Sequence, residues 1–267
     1  MHRFYVRPNE WNPDALFLTS SEAHHCRNVL RLRPGDSLVV FNGRGHEVTA
    51  EITAFVGREV RLRKLHESRT APLRCHITLA QAIPKGKTME VIVQKAVEIG
   101  ASEIAPIISD RTIVRLSGRD AAEKQAKWET IAIEAAKQSG QNWLPEIRSP
   151  RSMLEFFSGE AEASGAVLPG ERQLTPPRLH SSEVRLIGSL QPDAVHMKSI
   201  FAEYSARDAN PPSRVLMIIG PEGDFTLAEL ELARSYGCRP VTLGRIILRV
   251  ETAAIYCLSV LSYELLS

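Results

Sequence analysis

The chain has 267 residues, 43% of them apolar and 24% charged, with a net charge of +2. Such a length holds one large or two modest domains and builds a core without disulfide staples, so disordered, collagen-like and disulfide-scaffold classes are excluded. No apolar run reaches the roughly 18–20 residues of a membrane span, and no long apolar stretch follows Met1-His2-Arg3-Phe4-Tyr5-Val6, so neither membrane nor signal peptide is expected and the cytoplasm is.

Residues 1–70 read as short strands with turns between them. Leu38-Val39-Val40-Phe41 follows Pro34-Gly35-Asp36, and Asn42-Gly43-Arg44-Gly45 turns the chain into the alternating run His46 to Ile52. Val60-Arg61-Leu62-Arg63 alternates again, and one short helix is expected from Ser21 to Leu30. So small a sheet is expected to close as a β-barrel, which hides its edges. Residues 1–74 carry twelve Lys/Arg against eight Asp/Glu, with 21 against 23 in the rest. Most of the excess is Arg (Arg27, Arg31, Arg33, Arg44, Arg58, Arg61, Arg63), the side chain suited to bidentate phosphate contact. A solvated strand face would have the same charge.

Ser68-Arg69-Thr70-Ala71-Pro72 reads as a linker, and from residue 74 to 267 strands alternate with helices. Ile77–Ile83 is a strand candidate. Met89, Ile92, Val93, Ala96 and Ile99 then recur at helical spacing before Gly100. After a strand at Glu103–Ile108, Asp120-x-x-Glu123 predicts the cap of a long helix that ends near Gly140. Ser149-Pro150 predicts the start of a short helix, Ala166-Val167-Leu168 a brief strand, and residues 169–182 a loop. Strands at Val184–Ser189, Val215–Ile219 and Pro240–Leu243 alternate with helices from about Pro192, from the capping box Thr226-x-x-Glu229, and from about Glu251. This pattern predicts a mostly parallel α/β sheet covered on both faces.

In such sheets ligands sit outside the carboxyl ends of the strands. Three loops there stand out: Ser189-Leu190-Gln191-Pro192, Gly220-Pro221-Glu222-Gly223-Asp224 after a very apolar strand, and Gly244 to Thr252. Gly220 and Gly223 let a ligand approach the backbone closely, although a lone GxxG usually marks a tight turn and nothing more. Ile246-Ile247-Leu248 either lines a pocket for a flat, partly apolar ligand or forms a short buried strand, and local pattern favours the strand. Neither GxGxxG nor GxxxxGK[ST] is present, and no nucleophile elbow appears. Cys26, Cys75, Cys238 and Cys257 form no CxxC pair, and His24-His25 has no partner at ligand spacing, so no metal is expected.

Seven segments stand in order: His24-x-x-Arg27-x-Val29-Leu30-Arg31-Leu32-x-x-Gly35-Asp36; Lys85-Gly86-Lys87-Thr88-Met89-Glu90 with Gln94-Lys95-Ala96-x-Glu98-x-Gly100; Ser109-Asp110-Arg111; Trp128; Glu134-Ala135-Ala136-Lys137-Gln138-Ser139-Gly140; Gly220-Pro221-Glu222-Gly223; and Leu243-Gly244-x-x-Ile247-Leu248-Arg249-x-Glu251-Thr252-Ala253. Over nearly the whole chain they resemble the RsmE-type family, bacterial methyltransferases acting on N3 of a uridine in 16S ribosomal RNA of the small subunit. The resemblance implies a PUA-like RNA-binding β-barrel over residues 1–70 and a SPOUT methyltransferase domain over 74–267, whose carboxyl-terminal segment threads a trefoil knot. It also implies S-adenosyl-L-methionine as cofactor and a homodimer as the working form.

Carried residue by residue, it places the cofactor against Ser189, Leu190, Ile219, Gly220, Pro221, Gly223, Leu243, Gly244, Ile247, Leu248 and Thr252. Arg249 and Glu251 are the catalytic candidates, and Arg27, Arg31, Lys85 and Arg111 those for RNA. Arg249 either stabilises the anion that forms as the uridine imide loses its proton or pairs with Glu251 to hold the loop. Two positions depart from the family pattern: Asp224 stands where a second Gly is common, and Ile246 where a basic residue is. Rival readings are a SPOUT enzyme for another RNA position, such as a ribose 2′-hydroxyl, and a non-catalytic RNA-binding assembly protein.

Overall fold

Alternation of apolar and polar side chains gives the first part of the chain a sheet with one buried face. In the computed structural model, which describes residues 1–112, 118–163, 183–208 and 210–266, this sheet comprises β1 (Arg3–Tyr5), β2 (Phe17–Leu18), β3 (Ser37–Phe41), β4 (His46–Val56) and β5 (Glu59–Arg69). Their order is β1-β3-β4-β5-β2, antiparallel except for the parallel β1–β3 pair. Val48, Ala50 and Ile52 alternate inward along β4 and meet Leu38 and Val40 of β3. Among the described residues no ladder joins the end strands β1 and β2; they share the core through Phe4 and Leu18, so the barrel-like enclosure is made by side chains.

The predicted helix divides into α1 (Ser20–His24) and a π-helical turn over His25–Val29, which bury Ala23 and Cys26 in that core. Residues Ala132–Leu144 belong to the same unit as Met1–Pro72. Within it, the Asn142 side chain donates to Thr70 Oγ1 (2.9 Å) and Trp143 Nε1 to the Thr70 carbonyl (3.0 Å).

The second unit, Leu73–Ile131 with Pro145–Ser267, is built on an eight-stranded sheet whose ladders are parallel. Its principal strands are β6 (His76–Ala82), β7 (Glu103–Ile108), β10 (Glu183–Gly188), β12 (Arg214–Ile219) and β13 (Arg239–Thr242). Short strands β8 (Glu146–Ile147), β9 (Arg151–Ser152) and β11 (Val195–His196) complete it, in the order β11-β13-β10-β12-β6-β7-β8, with β9 also on β7.

On one face Ala80, Ala82, Leu216 and Ile218 pack with Phe156 and Phe157 of α4 (Met153–Ala163) and with Leu230, Ala233 and Tyr236 on and beside α6 (Leu227–Ser235). The Phe157 ring stacks on Tyr236 at 4.6 Å. Each such fully buried large side chain contributes about 1.5–3 kcal/mol. α2 (Thr88–Ile99) and α7 (Val250–Leu265) pack on each other, and α7 returns from β13 to lie over β6 and β12.

Several helix starts are corrected. α3 (Gly118–Ser139) begins before Asp120, so Asp120 lies in its first turn and does not cap it. α4 starts at Met153, not at Ser149-Pro150, because Ser152 and Glu155 form the reciprocal cap: Ser152 N–H donates to Glu155 Oε2 (2.8 Å) and Glu155 N–H to Ser152 Oγ (3.2 Å). α5 (Met197–Arg207) begins beyond Pro192, after β11. The expected strand at 166–168 and loop at 169–182 lie outside the described residues.

Candidate cofactor site

The neighbouring parallel strands β13, β10 and β12 end at one edge of the sheet, and the loops that leave them enclose a cavity of about 500 Å³. That volume falls in the roughly 300–1,000 Å³ range of small-molecule sites. From the β10 loop come Ser189 and Leu190, with the Ser189 N–H bonded to the Val241 carbonyl (3.0 Å). The β12 loop contributes Ile219, Gly220 and Pro221, and the β13 loop Leu243, Gly244, Ile247 and Leu248, with Arg249 and Glu251 at the start of α7.

The expected pair Gly223 and Thr252 does not line the cavity: Gly223 turns its carbonyl to Arg111, and Thr252 is exposed on α7. Thr88, Glu222, Asp224 and Ile246 line it as well and were not among the predicted site residues. Thr88 and Glu222 lie inside the motifs that carry the family resemblance, which were the signal available for them.

The run Ile246-Ile247-Leu248 is not the buried strand that local pattern favours. It belongs to the loop between β13 and α7, with Ile246 78% and Ile247 76% exposed. Gly244 at its start has φ +114°, a backbone conformation that L side chains rarely adopt. Arg249 is the N-cap residue of α7, and among the described residues no ion pair joins it to Glu251 or to any other carboxylate.

The loop after β12 is held from several sides. Glu222 Oε1 accepts the Lys85 N–H (2.9 Å), and the Arg111 guanidinium donates to the Gly223 carbonyl. Asp224 has φ +59° and accepts the Phe225 N–H at 2.8 Å. That conformation explains why glycine suits this position, and why Asp, among the side chains most tolerant of it, can replace glycine. The capping box predicted at Thr226 and Glu229 is formed. The buried Glu229 carboxylate also reaches past it to accept the Asp110 N–H (2.9 Å), which ties the Ser109–Thr112 turn to the head of α6.

Of the RNA candidates, Lys85 is exposed and anchors through its backbone, whereas Arg111 is committed to the Gly223 carbonyl. Arg27 is exposed, with its guanidinium 5.3 Å from the centroid of the Phe55 ring and donating to the Gly57 carbonyl (3.4 Å). Arg31 is exposed with φ +55°. Burial pushes the Cys26 and Cys75 thiols up to about 11 and those of Cys238 and Cys257 up to about 12, which keeps all four protonated at neutral pH. Among the described residues no group of three His, Cys, Asp or Glu side chains is placed to hold a metal ion, and no helix is long and apolar enough to cross a membrane.

The chain is similar to known RNA methyltransferases. The family model for the RNA methyltransferase domain matches residues 71–262, and that for the RNA methyltransferase PUA domain matches residues 18–59. Ribosomal RNA small subunit methyltransferase E from Synechocystis is 30% identical over 94% of this chain and 74% of its own length, and that from Bacillus subtilis 30% over 92% and 89%. The crystal structure of the Neisseria gonorrhoeae Ribosomal RNA small subunit methyltransferase E bound to S-adenosyl methionine superposes with a TM-score of 0.78 at 30% identity, covering 99% of this chain and 98% of that one. A Legionella pneumophila structure in complex with the bound cofactor SAM gives 0.79 at 32%, covering 98% and 97%. The expected fold class, a PUA-like β module followed by a mostly parallel α/β methyltransferase domain, is borne out, and the chain belongs to the RsmE-type family of RNA methyltransferases.

Proposed function

We propose that the chain transfers a methyl group from S-adenosyl-L-methionine to N3 of a uridine in 16S ribosomal RNA of the small subunit. The observation that carries this reading is the cavity at the ends of β13, β10 and β12, whose borders bring together nine of the eleven residues expected to hold the cofactor. The cavity fits such a molecule: Gly220 and Gly244 expose backbone, while Leu190, Ile219, Ile247 and Leu248 offer apolar surface to a purine. When bound, the cofactor supplies an electrophilic methyl group on a sulfonium.

Arg249 supplies the electrostatics. Borne at the head of α7 with no carboxylate partner among the described residues, its guanidinium is available to stabilise negative charge on the uridine imide as the N3 proton leaves. Glu251, two residues on, borders the same space and would accept or orient that proton.

In this reading residues 1–70 form the RNA-binding module, with Arg27 and Arg31 toward phosphate, and residues 74–267 the catalytic domain. The return of α7 from β13 to the centre of the sheet supports the trefoil threading of the SPOUT class. α7 also turns Tyr256 and Tyr263 outward, and two large aromatic side chains on one helix support a homodimer. Free buried cysteines suit the reducing cytoplasm, where ribosomal RNA is modified.

Nucleoside mass spectrometry of 16S RNA from a strain lacking this gene tests the reading. Loss of N3-methyluridine, restored by the wild-type gene, is expected. Loss of a ribose-methylated nucleoside would favour the 2′-hydroxyl alternative, and an unchanged profile would favour a binding protein without transfer.

A further inference from the structure

The cavity has an uneven charge lining. Three carboxylates border it, those of Glu222, Asp224 and Glu251, against the single guanidinium of Arg249. Among the described residues none of the three takes part in an ion pair. Glu222 is engaged by the Lys85 N–H, which fixes it at the rim.

Asp224 lines the cavity with its carboxylate fixed by a backbone donor. Its Oδ1 accepts the Phe225 N–H at 2.8 Å and stands 3.5 Å from the point a Cβ on Gly220 would occupy. The carboxylate therefore lies beside Gly220 on the cavity lining, and the Phe225 N–H holds its Oδ1 there. A fixed, unpaired carboxylate at a partly apolar cavity distinguishes ligands by charge, because the attraction is less screened there than in bulk water.

We infer that Asp224 makes this cavity select the cationic sulfonium cofactor over the neutral thioether that transfer leaves behind. The inference rests on the cofactor reading proposed for this cavity. S-adenosylmethionine carries a sulfonium, an ammonium and a carboxylate, a net charge of +1. S-adenosylhomocysteine lacks only the methyl group and the sulfonium charge. Selection of the first over the second favours loading and limits inhibition by product.

Isothermal titration of the full chain with each compound tests this, using wild type, Asp224→Asn and Asp224→Gly. Asn keeps an oxygen for the Phe225 N–H and tolerates the left-handed backbone, while Gly relieves that backbone altogether. Melting temperatures accompany both. Both variants are expected to weaken S-adenosylmethionine about three- to tenfold and to leave S-adenosylhomocysteine within about twofold. The wild-type preference should also shrink as salt rises.

Equal weakening of both ligands would overturn the inference, since the carboxylate would then serve as a hydrogen-bond acceptor for the nucleoside or amino group they share. An unchanged ratio in the variants would overturn it too. Failure of the wild type to bind either compound would instead remove the cofactor reading on which the inference stands.

Discussion

The loops after β12 and β13 border one cavity but are held in different ways. The first is fastened by Glu222 to Lys85, by Gly223 to Arg111, by Asp224 to Phe225 and by the Thr226–Glu229 cap. In the second, Thr242 Oγ1 accepts the Gly244 N–H at 3.3 Å, and residues 245–248 carry no comparable tie among the described residues. The fastened loop presents glycine backbone; the other presents exposed Ile246 and Ile247 and ends in Arg249, which has no ion-pair partner among the described residues. In the proposed reading both loops border the cofactor, the first as a fixed backbone cradle, and the second also carries Arg249 toward the substrate imide.

The largest effect expected from breaking this contrast is at Arg249. Arg249→Ala should slow single-turnover transfer at saturating cofactor by about 10²–10³-fold, with little change in cofactor affinity or melting temperature. Arg249→Lys should recover little, because a flexible point charge does not reproduce a planar fork of donors. Parallel losses of affinity and stability, mimicked by Glu251→Ala, would make Arg249 a brace for the loop instead.

Stability should respond at the fastened loop. Glu229→Ala removes a buried carboxylate that accepts from Asp110 and Thr226, and should cost about 2 kcal/mol in denaturant unfolding. If the cost is negligible, the network does not hold the loop. Gly220→Val should weaken cofactor about tenfold in calorimetry with the fold kept. Even a bare Cβ at this position would lie 3.3 Å from the Phe225 ring. Wild-type affinity in this variant would move the cofactor elsewhere.

The smallest effect is expected in the first unit. Arg27→Ala with Arg31→Ala should weaken RNA binding a few-fold and flatten its logarithmic salt dependence by about 0.7–0.9 for each phosphate that is no longer neutralised. An unchanged slope would leave those guanidinium groups as a solvated face.

Local chemistry was the most readable part of the sequence. The Thr226–Glu229 cap and the Gly100 stop of α2 stand where their residue types put them, since each needs only neighbours within four residues. Asp120 and Glu123 have the same spacing without being a cap, because the helix begins earlier. Apolar periodicity misread residues 246–248, since a strand and a pocket-lining loop both require consecutive apolar side chains. The bonds from Arg111 to Gly223 and from Asp110 to Glu229 were not readable at all. They join residues 112 and 119 positions apart, which only the sheet order brings together. Asp224 was visible as a departure, but its φ of +59° was needed to show why the position tolerates it.

The central claim is that this cavity directs methyl transfer to uridine N3. Its most direct test is a reconstituted reaction of the purified chain with S-adenosylmethionine and small subunits from a strain lacking the gene, followed by nucleoside mass spectrometry. The account predicts N3-methyluridine in 16S RNA with the wild type and a strongly reduced rate of its formation with Arg249→Ala. A methyl group on a ribose hydroxyl, or none on RNA despite bound cofactor, would contradict it.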